Sequence, residues 1–365
     1  MVIPINQLII APFAILCRKF NMKPLKNIQI LEFAGLGPAP FAAMILADMG
    51  ANVTRVSRLP IDGTASKPVI AVGTFLNRGR KEVFLDLKSA KGAAKARALA
   101  KKADVLIEGY RPGKMESLGL GPQELMALNH RLVYGRMTGW GQTGPMAHLA
   151  GHDINFLGLS GILNTLGEKD RPPVPPLNLI GDFGGGGMYL AFGIASALLR
   201  ARETGCGAIV DTAMIQGVTH LASFVHGQRA QGRWQDERQN NLIDGGAPFY
   251  RCYETSDNRY MAVGALEPVF FGNLLAVLEL TKQFLPYQNN RAIWPEMIKA
   301  FECRFAEHSF KRWVKLFENV DACVTPVLNF DEASRHPQMV DCYEQRDGVM
   351  QPSSTPKLLS PIVDK

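Results

Sequence analysis

Beginning at Leu25, apolar blocks of strand length alternate with longer stretches of helical spacing. Ile28 to Phe33 is apolar, Gly35-Leu36-Gly37-Pro38 interrupts it, Phe41 to Met49 is helical and Ala51 to Val56 extended. A second round has Val83 to Leu85 as a strand, Ser89 to Lys101 as an Ala- and Lys-rich helix and Ala103 to Glu108 as a strand. Pro122 to Asn129 then predicts a helix, and Leu132 to Met137 a strand entering Thr138-Gly139-Trp140-Gly141. Strands of this kind, regularly separated by helices, indicate an α/β fold with a mostly parallel sheet covered on both faces.

Beyond the glycines Gly184 to Gly187, Met188 to Arg202 predicts an apolar helix and Ala208 to Met214 a strand. The pattern then changes. Gly217 to Asn241 is polar and carries His220, His226 and Trp234, whereas Phe249 to Val263 alternates like a hairpin turning at Ser256-Asp257-Asn258. Leu274 to Leu280, Trp294 to Glu307 and Phe310 to Phe317 predict short helices, and Cys323 to Val327 an extended segment. The segmentation expected is an N-terminal extension (1–24), a large Rossmann-like domain (25–218), a smaller α+β domain (219–321) and a tail (322–365) returning to the large domain.

Composition narrows the classes of function. A chain of 365 residues, 47% of them hydrophobic, can bury the core of two domains. Its net charge of +7 is dispersed, with no run of five basic residues. That argues against nucleic acid as a partner and suits a small polyanion such as a nucleotide or coenzyme A. Six cysteines without a Cys-x-x-Cys pair signal neither a disulfide framework nor a zinc site, so a reducing compartment is expected, cytoplasm or organellar matrix. The apolar run Leu8 to Cys17 is interrupted by Pro12, follows no Lys or Arg and is too short to span a bilayer, so Met1 to Phe20 reads as an extension. The last residues carry no peroxisomal or lipidation signal.

The candidate chemistry lies in three places. Gly35-Leu36-Gly37-Pro38-Ala39-Pro40 opens like a dinucleotide fingerprint but lacks its third glycine, and the second strand ends in Arg55-Val56-Ser57-Arg58 where an acidic residue would meet a ribose. A cation there suits phosphate. Arg58, Arg78, Arg80, Lys81, Lys88 and Arg111 all fall near strand ends, and Arg58 and Arg111 are the strongest phosphate candidates. Gly151-His152-Asp153 and, thirty residues on, Gly181-Asp182-Phe183 supply a histidine and a carboxylate able to trade protons near neutral pH. His152 is one of seven histidines, and Asp182 could equally cap a helix starting near Phe183, whose first amides are candidate donors to an oxyanion. A second carboxylate, Glu267, stands in a loop before Pro268.

Several motifs together carry a resemblance. Gly151-His152-Asp153-Ile154-Asn155, Pro175-Pro176-Leu177-Asn178-Leu179, Gly181-Asp182-Phe183-Gly184-Gly185-Gly186, Asp244-Gly245-Gly246-Ala247-Pro248-Phe249-Tyr250, Gly264-Ala265-Leu266-Glu267-Pro268 and Asp321-Ala322-Cys323-Val324-Thr325-Pro326-Val327 resemble the α-methylacyl-CoA racemases of the family III CoA-transferase (CaiB/BaiF) superfamily, over about Leu25 to Leu328. The resemblance implies an interlocked homodimer, with the active site between the large domain of one subunit and the small domain of the other. It implies 1,1-proton transfer on a 2-methylacyl-CoA, with no cofactor and no metal, CoA being part of the substrate. His152 and Asp182 match the family's catalytic pair, and Glu267 the glutamate that partners the histidine. Arg58 matches a CoA-contacting arginine, and Gly151, Asp153 and Asn155 fall in the CoA-binding loop.

The alternative from the same superfamily is a CoA transferase, in which the aspartate attacks the thioester and becomes an enzyme-bound CoA thioester; it needs no opposing histidine. A CoA-binding homologue without turnover and a nicotinamide oxidoreductase fit the residues less well. Three features depart from the family pattern: Ser117 where a basic residue is common, the early end after Pro361 and the extension before Met22.

Overall fold

A computed structural model of the chain describes residues 23–59, 75–346 and 348–359. The extension read at Met1 to Phe20 lies outside the described residues. The described residues form two compact units, one of residues 23–59, 75–136, 190–210 and 353–359, the other of 137–189, 211–346 and 348–352.

The first unit is built on β1 (Gln29–Phe33), α1 (Pro38–Asp48), β2 (Asn52–Ser57), β3 (Arg80–Phe84), α2 (Ala90–Ala100), β4 (Val105–Glu108), α3 (Lys114–Ser117), α4 (Pro122–Leu128) and β5 (Val133–Thr138). Its chain leaves through the end of β5 and returns in a long helix and β6 (Ile209–Ala213). The sheet order is β3-β2-β1-β4-β5-β6, and the β1–β2, β2–β3, β1–β4 and β4–β5 pairs are parallel. The order reverses between β1 and β4, so a crevice for a ligand lies outside their carboxyl ends. Leu31, Phe33, Leu106, Leu132 and Tyr134 fill the core on one side with α2 residues Ala96 and Ala100. Ser89 accepts the Gly92 amide and so starts α2 where the sequence places it.

A buried ionic cluster occupies the β1–β2–β3 region. Glu32, fully buried, accepts from Arg80 Nε at 2.9 Å, and Arg80 also donates to the carbonyls of Leu76, Arg78 and Pro40. Burial pushes the Glu32 carboxyl up and the Arg80 guanidinium down, each opposed by the charge of the other.

The second unit contains α5 (Asp153–Leu159), a π-helix over Leu179–Met188 that runs directly into α6 (Tyr189–Thr204), then α7 (Met214–Leu221) and α8 (Ser223–Ala230). The polar stretch after Gly217 is therefore largely helical. A three-stranded antiparallel sheet follows, formed by β7 (Tyr250–Glu254), β8 (Tyr260–Gly264) and β9 (Val324–Pro326), in the order β7-β8-β9. Helices α9 (Pro268–Leu278), α10 (Thr281–Phe284), α11 (Trp294–Phe305) and α12 (Phe310–Phe317) surround an aromatic core that includes Phe249, Tyr253, Phe271, Phe301, Phe305 and Trp313. The hairpin turn falls where alternation predicts it, with Asn258 at φ 57°.

The tail expected to leave this domain at residue 322 instead supplies β9, α13 (Phe330–Arg335), β10 (Tyr343–Arg346) and β11 (Val349–Pro352), all within the second unit. Three residues of β9 gave too short an apolar run to reveal a strand partner. Among the described residues no helix is long and apolar enough to cross a membrane.

Candidate active site

The two proton-transfer candidates are brought together by α5 and the π-helix. His152, exposed and extended (φ −125°, ψ 174°), is the residue before α5, and its backbone N–H donates to Asn155 Oδ1 at 3.0 Å. Asn155, read as a CoA contact, thus closes the first turn and fixes the histidine's main chain. Beneath it, Phe156 is 1% exposed and packs edge-to-face on Trp140, with centroids 4.7 Å apart. This apolar seat holds α5 while leaving the imidazole outside.

Asp182 lies inside the π-helix, not at a helix N-cap, which differs from the expected capping role. The cap comes from elsewhere: Asp153 Oδ2 accepts the Asp182 N–H at 2.7 Å, and the Gly181 N–H also donates to this carboxylate. A buried Asp153 therefore serves the backbone of the π-helix, and the amides expected to meet an oxyanion already have an acceptor. Gly181 is required by this approach, because a Cβ there would stand 2.6 Å from Asp153 Oδ2.

The glycine cluster is a packing surface. Gly185, Gly186 and Gly187 are buried, and α7 meets Gly185 backbone to backbone. A Cβ on Gly217 would come within 1.8 Å of the Gly185 carbonyl oxygen. Small residues here allow two helices to touch, and the widened π turn carries Asp182 at their edge.

The Asp182 carboxyl is pushed up to about 6. Burial is the main cause, the negative Asp153 adds to it, and a hydrogen bond from Asn178 together with the nearby His152 imidazole opposes it. Asn178 lies in a motif read from sequence, but no spacing rule could assign its contact with Asp182. A carboxyl titrating near 6 serves as acid or base near neutral pH.

Glu267 is the exposed residue before α9, and its carboxylate makes no hydrogen bond to His152 within the chain. Arg58 and Arg111 belong to the first unit, exposed just after β2 and β4, the two strands that flank β1. Arg58 reaches the surroundings of Tyr110, whose phenol burial pushes up and Arg58 draws down. Both cations thus follow the carboxyl ends of the strands flanking β1, beside the β1/β4 reversal where such sheets bind ligands.

The other cations named from sequence sort differently. Arg78 pairs with Asp48 and Arg80 with Glu32, and Arg80 and Lys81 begin β3 rather than follow it. Ser117 ends α3, where its hydroxyl donates to the Lys114 carbonyl at 2.8 Å.

Comparison with known proteins gives the family. The chain matches the model of CoA-transferase family III over residues 25–351. It is 45% identical over 312 residues to the alpha-methylacyl-CoA racemases of Mus musculus and of Homo sapiens, an overlap of 86% of this chain and 80% of each relative. In fold it is similar to the crystal structure of a CAIB/BAIF family protein from Brucella suis, with a TM-score of 0.77 at 24% identity, covering 93% of this chain and 95% of the other. With a family match over most of its length and close relatives at this identity, the chain belongs to CoA-transferase family III.

Proposed function

We propose that this enzyme interconverts the (R)- and (S)-epimers of 2-methylacyl-CoA thioesters by 1,1-proton transfer through an enolate. The observation that carries the reading is the pairing of His152 with an Asp182 whose carboxyl is raised to about 6. Inversion needs a base on one face of the α-carbon and an acid on the other. At pH 7 a carboxyl of that acidity is protonated in roughly a tenth of molecules, so both of its forms are available.

In one direction a neutral His152 takes the α-proton while protonated Asp182 returns one to the opposite face. In the other direction the roles exchange. The developing enolate oxygen needs fixed donors, and the Asp153 and Ile154 amides that open α5 beside His152 have no carbonyl a turn behind them, whereas those of Asn155 and Phe156 bond back to the His152 carbonyl. The reading requires no cofactor. We assign the phosphates of CoA to Arg58 and Arg111 at the β1/β4 crevice, where guanidinium forks match phosphate oxygens. We further propose an interlocked homodimer, in which Glu267 of the partner subunit reaches His152 and holds its tautomer.

His152→Ala and Asp182→Ala test the assignment. Each should abolish racemisation, retain CoA binding and still exchange the α-proton of one epimer, the opposite epimer for each variant. Full racemisation by either variant removes that residue from its role. Transfer of CoA to an added carboxylate, dependent on Asp182 alone, would support the transferase alternative.

A further inference from the structure

We propose that Asp153 is a positioning residue that sets the spacing of the two bases, joining the peptide of His152 to the peptide of Asp182. The inference rests on the two-base reading above and deepens it. Asp153 follows His152 directly, so its main chain and the histidine's move as one. Its side chain, 6% exposed, reaches the other base by accepting the N–H groups of Gly181 and Asp182. Contact with the bare Cα of Gly181 leaves the carboxylate no other seat, since even a methyl group there would collide with its Cγ at 2.8 Å. One side chain therefore ties the backbone of one base to the backbone of the other.

The charge of Asp153 needs explanation as well as its position. Its Oδ1 is buried with no hydrogen-bond partner, an expensive arrangement for a carboxylate. A neutral asparagine would accept the same two amides. What the charge adds is an effect on Asp182, whose ionisation it opposes. Other groups around Asp182 do not substitute for it: His152 acts in the opposite sense, Asn178 donates to it, and the one titratable side chain of α7, His220, pairs through Nδ1 with the Tyr189 hydroxyl at 2.6 Å. Asp153 thus holds Asp182 in place and keeps its protonated form accessible.

Asp153→Asn and Asp153→Ala separate the two contributions, read as kcat, KM and the pH profile of α-deuterium exchange on the 2-methylacyl-CoA epimer whose α-proton Asp182 removes, with thermal unfolding as a check on the fold. Asp153→Asn should keep KM within about twofold and kcat within about tenfold, and move the acidic limb of the kcat profile to lower pH by about one unit. Asp153→Ala should lower kcat about 100-fold with little change in KM, because a displacement of order 1 Å at a reacting group costs that much. Equal losses in both variants with an unmoved acidic limb, or full activity in both, overturn the inference. If Asp153→Ala does not fold, the asparagine variant alone decides through its pH limb. Failure of the racemase reading is distinct, since the unaltered enzyme would then exchange no α-proton.

Discussion

Gly217→Ala places one methyl group at the tightest point behind the site. Its Cβ would lie 1.8 Å from the Gly185 carbonyl oxygen and 2.6 Å from the Gly185 carbonyl carbon, both backbone atoms that no side-chain rotation can clear. Ordinary contact requires the two backbones to part by about 1.5 Å, and α7 and the π-helix must separate or tilt. The cost expected for such overpacking is about 1–3 kcal/mol of stability. Because Asp182 rides on the π-helix, the same movement should reduce kcat about 100-fold, with a smaller change in the KM for acyl-CoA. The control is Gly227→Ala in α8, where nothing stands within 4 Å of the added Cβ and helix propensity gains up to about 1 kcal/mol. Thermal unfolding and racemisation of both variants are the assays. Wild-type kcat and stability in Gly217→Ala would refute the claim that glycine contact places Asp182.

Three further outcomes are expected. The raised Asp182 carboxyl stabilises the fold only while protonated, so its contribution is complete below its ordinary value near 4 and lost as pH rises through about 6. Asp182→Asn should therefore be inactive yet more stable than the parent by about 1–2 kcal/mol at pH 8, partial exposure included, with no gain at pH 4 in denaturant titrations. Arg58→Ala and Arg111→Ala should each raise the KM for acyl-CoA roughly tenfold and leave the KM of an acyl-pantetheine thioester, which lacks the nucleotide, unchanged. Arg80→Leu, which strands the wholly buried Glu32, should lower stability by about 3–5 kcal/mol by chemical denaturation, and adding Glu32→Leu should recover most of it.

Much of the first unit is readable from period alone, because buried parallel strands are apolar runs and helix starts carry local signals such as Ser89. The hairpin of β7 and β8 was legible for the same reason. What escaped is what local pattern does not encode. A π-helix has no hydrophobic period of its own, so the glycines of 184–187 do not reveal the helix contact that Gly217 completes about thirty residues later. The same limit hid Asp153, whose hydrogen bond to Asp182 closes a separation of 29 residues. His152, Asp182 and Arg58 were visible because their chemistry is carried by residue type and by motif. Arg80 had the same residue type as Arg58, and only the register of β3 against β2 shows it to be a buried structural cation.

Two bases acting on opposite faces of one α-carbon leave a signature in the product. Incubating the unaltered enzyme with a single epimer of a 2-methylacyl-CoA in deuterated water, and following label and configuration together, tests it most directly. With two opposed bases, α-deuterium enters with inversion until the two epimers are equal, with no acceptor acid present. Retention of the α-proton, with CoA moving to an added carboxylate, would contradict it.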